Sequence, residues 1–196
     1  TNSDEGALFI QSGVTSAAFQ EQIRAGHGEH ADELLAVYPN ATDAQALQSA
    51  RDVFRDSLFA WPTWTWARLQ SAKGKGTAYV YYFDHRTPQR PNGASHADEM
   101  QYVFRNLGSG FAGISDGTTR PEETAMSDLL STYWTNFAKT GDPNGAGLPR
   151  WPAFTEANQQ VMFLDATPSA RPVPNMEQLE AWDAYYAWRR GQAKRR

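Results

Sequence analysis

The chain has 196 residues, of which 40% are hydrophobic and 20% charged, and its formal net charge is −4. That length is enough for one domain with a sizeable core, and the negative charge argues against nucleic acid or an anionic membrane surface as the main partner. Cysteine is absent, which excludes disulfides, thiolate metal sites and a cysteine nucleophile. No apolar run reaches the roughly 18 residues that a membrane-spanning helix needs.

Helices are predicted in the first third of the chain. Residues 15–26 predict a short helix that Gly26 closes, and residues 32–38 predict another. Asp43 then caps a longer helix. Its apolar residues recur three and four positions apart, so they share one face: Leu47, Ala50, Phe54, Leu58 and Trp61.

A strand is predicted at residues 77–83, which are rich in Tyr and Val and apolar on both faces. Such a strand suits a sheet that is covered on both sides, as in an α/β fold. Residues 86–95 contain Pro88, Pro91 and Gly93 and therefore predict a loop.

The last part of the chain contains the clearest helix, residues 122–139, which Pro121 and two acidic residues introduce. Residues 161–164 predict a short strand, and residues 176–190 predict a terminal helix. No internal repeat and no linker divides the sequence. The pattern as a whole predicts an α/β fold.

One histidine, His96, follows the predicted strand in a loop of small residues, which is a good position for a general base. Ester hydrolysis by a serine enzyme needs a hydroxyl that loses its proton, a His that takes it and a carboxylate that holds the His. In α/β-hydrolases these groups follow one another as Ser, then Asp or Glu, then His. Glu5 precedes His96, so the two fit the last two positions of that order.

Five segments, taken in order, carry a family pattern. They are Asp4-Glu5-Gly6, the Tyr-x-Tyr-x-Phe-x-His-Arg run of residues 79–86, the Gly-x-x-His-x-x-Glu pattern of Gly93, His96 and Glu99, residues 133–144, and Trp151-Pro152-Ala153-Phe154. In order and spacing they resemble the type B carboxylesterases, the cholinesterase-like branch of the α/β-hydrolases. The resemblance runs from residue 1 to at least residue 165.

The resemblance implies a serine carboxylesterase with an α/β-hydrolase fold, of which this chain would form the C-terminal part of the mixed sheet and its surrounding helices. It implies that Glu5 is the acid of the triad, that His96 is the general base, and that Glu99 is a supporting carboxylate. The substrate would be a small-molecule ester, and no cofactor or metal is expected. Three apolar residues would border the substrate pocket: Leu8, Phe9 and Met100.

The nucleophile and the oxyanion loop of this family lie upstream of the acid, so neither is in this chain if Glu5 is the acid. We therefore expect residues 1–196 to be the C-terminal portion of a single α/β-hydrolase domain, completed by an N-terminal portion that carries the Ser and the oxyanion hole. Residues 113–117 (Gly-Ile-Ser-Asp-Gly) fit the bare nucleophile pattern. They follow the His and lack a preceding strand and a directly following helix, so they predict a surface turn.

Several other features have simpler interpretations. His27 and His30 are three residues apart with a Gly between them, whereas a helical zinc site needs a spacing of four. Residues 142–145 resemble part of a calcium loop but lack its further acidic ligands, so they predict a turn. His85 is interpreted as a structural residue at a strand end. The Trp-rich residues 61–66 either line a substrate gorge or pack in a core.

Two other functions stay open. The first is a non-catalytic, cholinesterase-like binding or recognition module, against which the presence of both Glu5 and His96 counts. The second is an aromatic-rich carbohydrate or ligand binder, which rests only on the seven Trp residues. The sequence leaves the compartment open, although the resemblance favours a secreted or periplasmic protein.

Overall fold

A computed structural model of the chain describes residues 1–108 and 120–193. The chain divides into two compact units. The first contains the described residues within Thr1–Asp4 and Trp66–Val173, and the second contains those within Glu5–Thr65 and Pro174–Arg196. In the part of the chain that is described, no helix is long and apolar enough to cross a membrane.

Four helices precede the first strand, and the later helices are interspersed with three short strands. The helices are α1 (Ser16–His27), α2 (Ala31–Val37), α3 (Asp43–Arg55), α4 (Trp61–Lys73), α5 (Met100–Val103), α6 (Pro121–Thr140) and α7 (Met176–Ala193). The strands are β1 (Tyr81–Phe83), β2 (Gln160–Leu164) and β3 (Ser169–Pro172). Two 3-10 turns occur at Glu5–Leu8 and Gly28–His30, and a π-helical turn at Asp56–Ala60 joins α3 to α4.

The first unit is built on a mixed sheet with the strand order β1-β2-β3. β1 pairs in parallel with β2, with Tyr81 opposite Met162, and β2 pairs in antiparallel fashion with β3. The strand predicted at residues 77–83 is shorter than expected: the regular ladder includes only Tyr81–Phe83, and Ala78 forms an isolated bridge with Phe154. Helices and a mixed sheet together confirm the predicted α/β fold.

Helix α6 packs on this sheet and has a clear signal at each end. The carboxylate of Glu123 accepts the N–H of Arg120 (3.3 Å), directly before the first helical residue, Pro121. Gly141 ends the helix in the left-handed conformation (φ 78°), where its N–H reaches the carbonyl of Phe137. Three of its buried residues, Met126, Leu130 and Tyr133, share one core with residues that include Phe83, Trp151, Met162 and Leu164.

The second unit is helical, and α1, α2, α3 and α7 contribute to its core, which includes Phe19, Leu34, Ala46 and Trp182. Helix α1 begins after Thr15, whose hydroxyl accepts the N–H of Ala18 (3.2 Å).

Two predicted helix ends in this unit are wrong. Gly26 lies inside α1, and Gly28, with φ 57°, follows the last residue of the helix. The cap of α3 is Thr42, because its hydroxyl, and not the carboxylate of Asp43, accepts the N–H of Gln45 (3.2 Å).

The predicted apolar face of α3 is also partly wrong, since Leu58 is 55% exposed. Asp56 is fully buried instead, and Arg55 donates to both of its carboxylate oxygens (2.7 and 3.1 Å). The hydroxyl of Tyr38 also donates to Asp56 (2.8 Å) and accepts the indole N–H of Trp182 (2.8 Å). Burial raises the pKa of Tyr38, so its hydroxyl stays protonated and continues to donate. This buried network coincides with the π-helical turn, which changes the helical register after Arg55.

Candidate active site

The first residues of the chain run alongside β1. Asn2 forms a parallel bridge with Phe83, whose N–H donates to the carbonyl of Thr1 (3.0 Å) and whose carbonyl accepts the N–H of Ser3 (3.0 Å). The N–H of Asp4 then donates to the carbonyl of Ala94 (2.8 Å). The segment directly before Glu5 is therefore hydrogen-bonded both to β1 and to the loop that contains His96.

The His96 loop approaches this segment closely. Gly93 has φ 144°, and a Cβ atom there would lie 2.4 Å from Oγ of Ser3, so glycine is required on both counts. Oγ of Ser3 also accepts the N–H of Ala94 (2.9 Å), and the side-chain amide of Asn2 donates to the carbonyl of Ser95 (2.6 Å). His96 itself is half-buried. Polar contacts therefore hold the backbone immediately before His96.

Glu99, the predicted supporting carboxylate, is bonded through both of its oxygens. Oε2 accepts from the side-chain amide of Asn2 (2.7 Å), and Oε1 accepts from the hydroxyl of Tyr81 on β1 (3.1 Å). The two amide hydrogens of Asn2 therefore join Glu99 to the carbonyl of Ser95, next to His96. Glu99 is thereby linked to the His96 loop at the carbonyl of Ser95.

Glu5 belongs to the second unit, where it is the first residue of the 3-10 turn Glu5–Leu8 and is buried. Of the predicted pocket residues, Leu8 in this turn is half-buried, and Phe9 is 57% exposed with its ring stacked on that of Phe54 (4.9 Å between centroids). Met100, the third, is the first residue of α5 in the first unit and is 49% exposed. The predicted site residues are thus divided between the two units.

Gly6 packs against α3 more closely than any side chain would allow, since a Cβ atom there would lie 2.6 Å from Cα and 2.8 Å from the carbonyl oxygen of Arg51. We expect Gly6→Ala to lower the free energy of unfolding by about 1–3 kcal/mol, because backbone must move to admit the methyl group. Gly26→Ala is the matched control, since its Cβ would meet nothing within 4 Å inside α1. It should raise stability by about 0.5–1 kcal/mol. Urea unfolding of both variants measures the difference, and equal effects would contradict the close packing.

His85 is buried at the end of β1, as its structural interpretation predicts. Its ring meets the rings of Tyr102 (5.2 Å, edge-on) and Phe83 (6.2 Å), and neither ring nitrogen has a hydrogen-bond partner within the described residues. Burial lowers the pKa of His85, and Arg120 lowers it further, whereas Glu123, Glu122 and Asp165 act in the opposite direction. The folded protein therefore favours the neutral imidazole.

This burial predicts a loss of stability in acid. Because the pKa of His85 is lower in the folded than in the unfolded state, the unfolded chain takes up the proton first as the pH falls below about 6.5. The contribution of neutral His85 to the free energy of unfolding is present above that pH and is lost below it. The free energy of unfolding then falls by at most about 1.4 kcal/mol per pH unit. As the pH is lowered from about 7.5 to 5.5, the urea midpoint should fall less steeply in His85→Phe than in the parent. An unchanged slope would show that His85 is not the responsible group.

The histidine pair and the turn at residues 142–145 have local partners in the structure. Nδ1 of His27 lies 2.9 Å from the carbonyl of Ile23, and Nδ1 of His30 lies 2.7 Å from Glu33. No group of three or more His, Asp or Glu side chains within residues 1–108 and 120–193 is arranged to hold a metal ion. The carboxylate of Asp142 accepts from the backbone N–H of Asn144 (2.9 Å), as in the predicted turn.

The Trp residues of segment 61–66 differ in their environments. Trp61 stacks on Tyr186 (4.1 Å between centroids) and donates its indole N–H to Asp183 (3.0 Å), and Trp64 is buried, so both favour the core interpretation. Trp66 is 77% exposed. The nucleophile-like pattern of residues 113–117 lies outside the described residues.

The Carboxylesterase family model matches residues 3–182. The chain belongs to the carboxylesterase family. Carboxylesterase 5A of Felis catus is 34% identical over 153 residues, which are 74% of this chain and 27% of the relative. The cocaine esterase of Homo sapiens is 33% identical over 147 residues, 71% of this chain and 25% of the relative. A solved PNB esterase structure aligns with a TM-score of 0.74 at 28% identity, covering 92% of this chain and 36% of that one.

Family membership confirms the resemblance read from the five motifs, and the likeness to the esterase structure confirms the α/β-hydrolase fold. The chain spans about a quarter of the length of the two curated carboxylesterase-family relatives just described.

The motifs that identify the family did not identify every residue around His96. Asn2, Arg90 and Asp98 were missed, although all three bond within or to the loop that contains His96. A local signal was available for Asp98, since a Ser followed three residues later by an acid is the spacing at which a side chain can accept a nearby backbone N–H. Asn2 and Arg90 carry no such local signal.

Proposed function

We propose that this chain supplies the acid and the general base of a serine carboxylesterase, with His96 as the base and Glu5 as the carboxylate that orients it. Glu99 acts as a supporting carboxylate, bonded to Asn2 and Tyr81. The nucleophilic Ser and the oxyanion hole belong to an N-terminal portion of the same protein, which with residues 1–196 completes one α/β-hydrolase domain. Three residues border the ester pocket: Leu8, Phe9 and Met100.

The chemistry follows from these assignments. Nε2 of His96 takes the proton of the Ser hydroxyl as its oxygen attacks the ester carbonyl, and the imidazolium then gives that proton to the departing alcohol. In the second half His96 deprotonates a water molecule, which attacks the acyl-enzyme, and the carboxylic acid leaves as the Ser regains its proton. Glu5 fixes the tautomer of His96 and stabilises its charged form. Residues 1–196 alone are not expected to hydrolyse an ester.

One observation carries the proposal: hydrogen bonds join the segments next to both assigned residues. Asn2 and Asp4, just before Glu5, bond to the carbonyls of Ser95 and Ala94, just before His96. Such contacts support a site because catalytic side chains must be held in a fixed geometry. The names of the relatives, carboxylesterase and PNB esterase, support ester hydrolysis as the reaction.

The proposal is tested on the polypeptide that contains this chain. Intact mass and peptide mapping establish its extent and show whether a Gly-x-Ser-x-Gly segment precedes Thr1. Turnover of p-nitrophenyl acetate is then measured, and a fluorophosphonate probe labels the nucleophile, which peptide mapping locates. We expect turnover, and labelling of the Ser in that upstream segment.

Two outcomes would overturn the proposal. Labelling of Ser115 would place the nucleophile after the His and contradict the assigned order, and Ser115→Ala is the matching variant that should keep full turnover. A folded protein with neither turnover nor labelling would favour the non-catalytic binding module.

A further inference from the structure

The turn that contains His96 has an unfavourable backbone conformation. Ala97, the next residue, has φ 66°, a left-handed conformation that a Cβ atom disfavours. Backbone of this kind persists only where the surrounding contacts impose it. The contacts that impose it here therefore also constrain the backbone at His96, the preceding residue.

Asp98 closes this turn. Its Oδ2 accepts the N–H of Ser95 (2.7 Å), and its own N–H donates to the carbonyl of Ser95 (3.2 Å). His96 and Ala97 are thus enclosed between two hydrogen bonds that join the same pair of residues. A carboxylate forms stronger bonds of this type than a neutral acceptor does.

Arg90 holds the carboxylate of Asp98 in place from the preceding loop. Its Nε donates to the same Oδ2 (2.9 Å), and the side chains are only 17% and 11% exposed. Burial raises the pKa of Asp98, while the Ser95 N–H and Arg90 act against that effect. A partly buried pair is less screened by solvent and salt than a surface ion pair, so it can define one geometry.

We propose that Asp98, held by Arg90, is a positioning residue for the reaction. It keeps Ala97 in the left-handed conformation and so directs the imidazole of His96 toward the nucleophile. This inference rests on the proposed function, since it requires His96 to be the general base. Asp98 is buried and its carboxylate is held by Ser95 and Arg90, so we expect its removal to lower the rate of the chemical steps and to leave substrate binding unchanged.

The test compares Asp98→Ala with Asp98→Asn in the full-length protein. The alanine variant loses the bond across the turn, and we expect kcat to fall roughly 10- to 100-fold with KM unchanged within about twofold, as for a displaced catalytic group. The asparagine variant keeps an acceptor oxygen and should recover most of the loss. Rates are expressed per site titrated to completion with fluorophosphonate, so unfolded protein does not contribute.

Asp165→Ala is the matched control, because it breaks another Asp–Arg pair of the first unit, with Arg171 (2.7 Å). Its kcat per titrated site should stay within about twofold of the parent. The positioning role would be overturned if kcat of Asp98→Ala stayed within about twofold of the parent, or if kcat fell equally in Asp165→Ala. His96→Ala, assayed in parallel, separates the two proposals: if it keeps its activity, the proposed function itself fails.

Discussion

Replacing His96 by alanine is expected to lower kcat for p-nitrophenyl acetate by roughly 10⁵-fold in the full-length protein. Without the imidazole, nothing removes the proton from the Ser hydroxyl, and nothing protonates the leaving alcohol. The oxyanion hole and substrate binding would sustain the residual rate, which should stay roughly 10³- to 10⁴-fold above that of water. The measurement is kcat and KM over a range of ester concentrations, with circular dichroism to show that the variant folds.

His30→Ala is the control for this prediction. His30 lies in the second unit, with Nδ1 2.7 Å from the exposed side chain of Glu33, and has no assigned role. Its substitution should leave kcat within about twofold of the parent. Added imidazole should restore part of the activity of His96→Ala, because the missing group is a proton acceptor. Full activity in His96→Ala would refute the assignment of the base.

Helix α6 shows what could be predicted from sequence alone. Its start at Pro121 and its end before Gly141 depend on residues close together in the chain. By contrast, β3 was missed because Ser-Ala-Arg-Pro contains no β-branched or aromatic residue. This strand exists because it pairs with β2, which is a tertiary effect.

The π-helical turn at Asp56–Ala60 could not be predicted for a similar reason. Nothing in its sequence distinguishes it from α-helix, and the change coincides with the buried contacts of Asp56 with Arg55 and Tyr38. Tyr38 lies 18 residues from Asp56 in the chain, so no local pattern reports the contact.

The candidate site divides in the same way. His96 and Glu5 stand in motifs and are proposed as site residues from them, whereas Asn2 and Ser95 are 93 residues apart and meet only in the folded protein. The support of a catalytic side chain comes from such distant contacts, which a single sequence does not reveal. Asp98 is intermediate, since its bond to Ser95 is local but its bond to Arg90 crosses between parts of the loop.

We expect substitution of the two acids proposed at the site, Glu5 and Glu99, to lower kcat by different amounts. Glu5→Gln is expected to lower kcat by roughly 10³- to 10⁴-fold, because a neutral amide neither stabilises the imidazolium nor selects the productive tautomer of His96. Glu99→Gln should lower kcat only about 10-fold, because an amide oxygen can still accept from Asn2 or Tyr81. The role proposed for Glu99 is to support the loop and not to hold the imidazole.

Measuring kcat for both Gln variants, with Glu29→Gln as a control from the 3-10 turn Gly28–His30, ranks the two carboxylates. Both substitutions nearly preserve side-chain shape, so a difference between them reports charge and not packing. The decisive quantity is therefore the ratio of the two losses. If kcat fell further in Glu99→Gln than in Glu5→Gln, the role of triad acid would pass to Glu99. The proposed base and its acid would then both belong to the first unit, and Glu5 would be a buried residue of the 3-10 turn that begins the second unit.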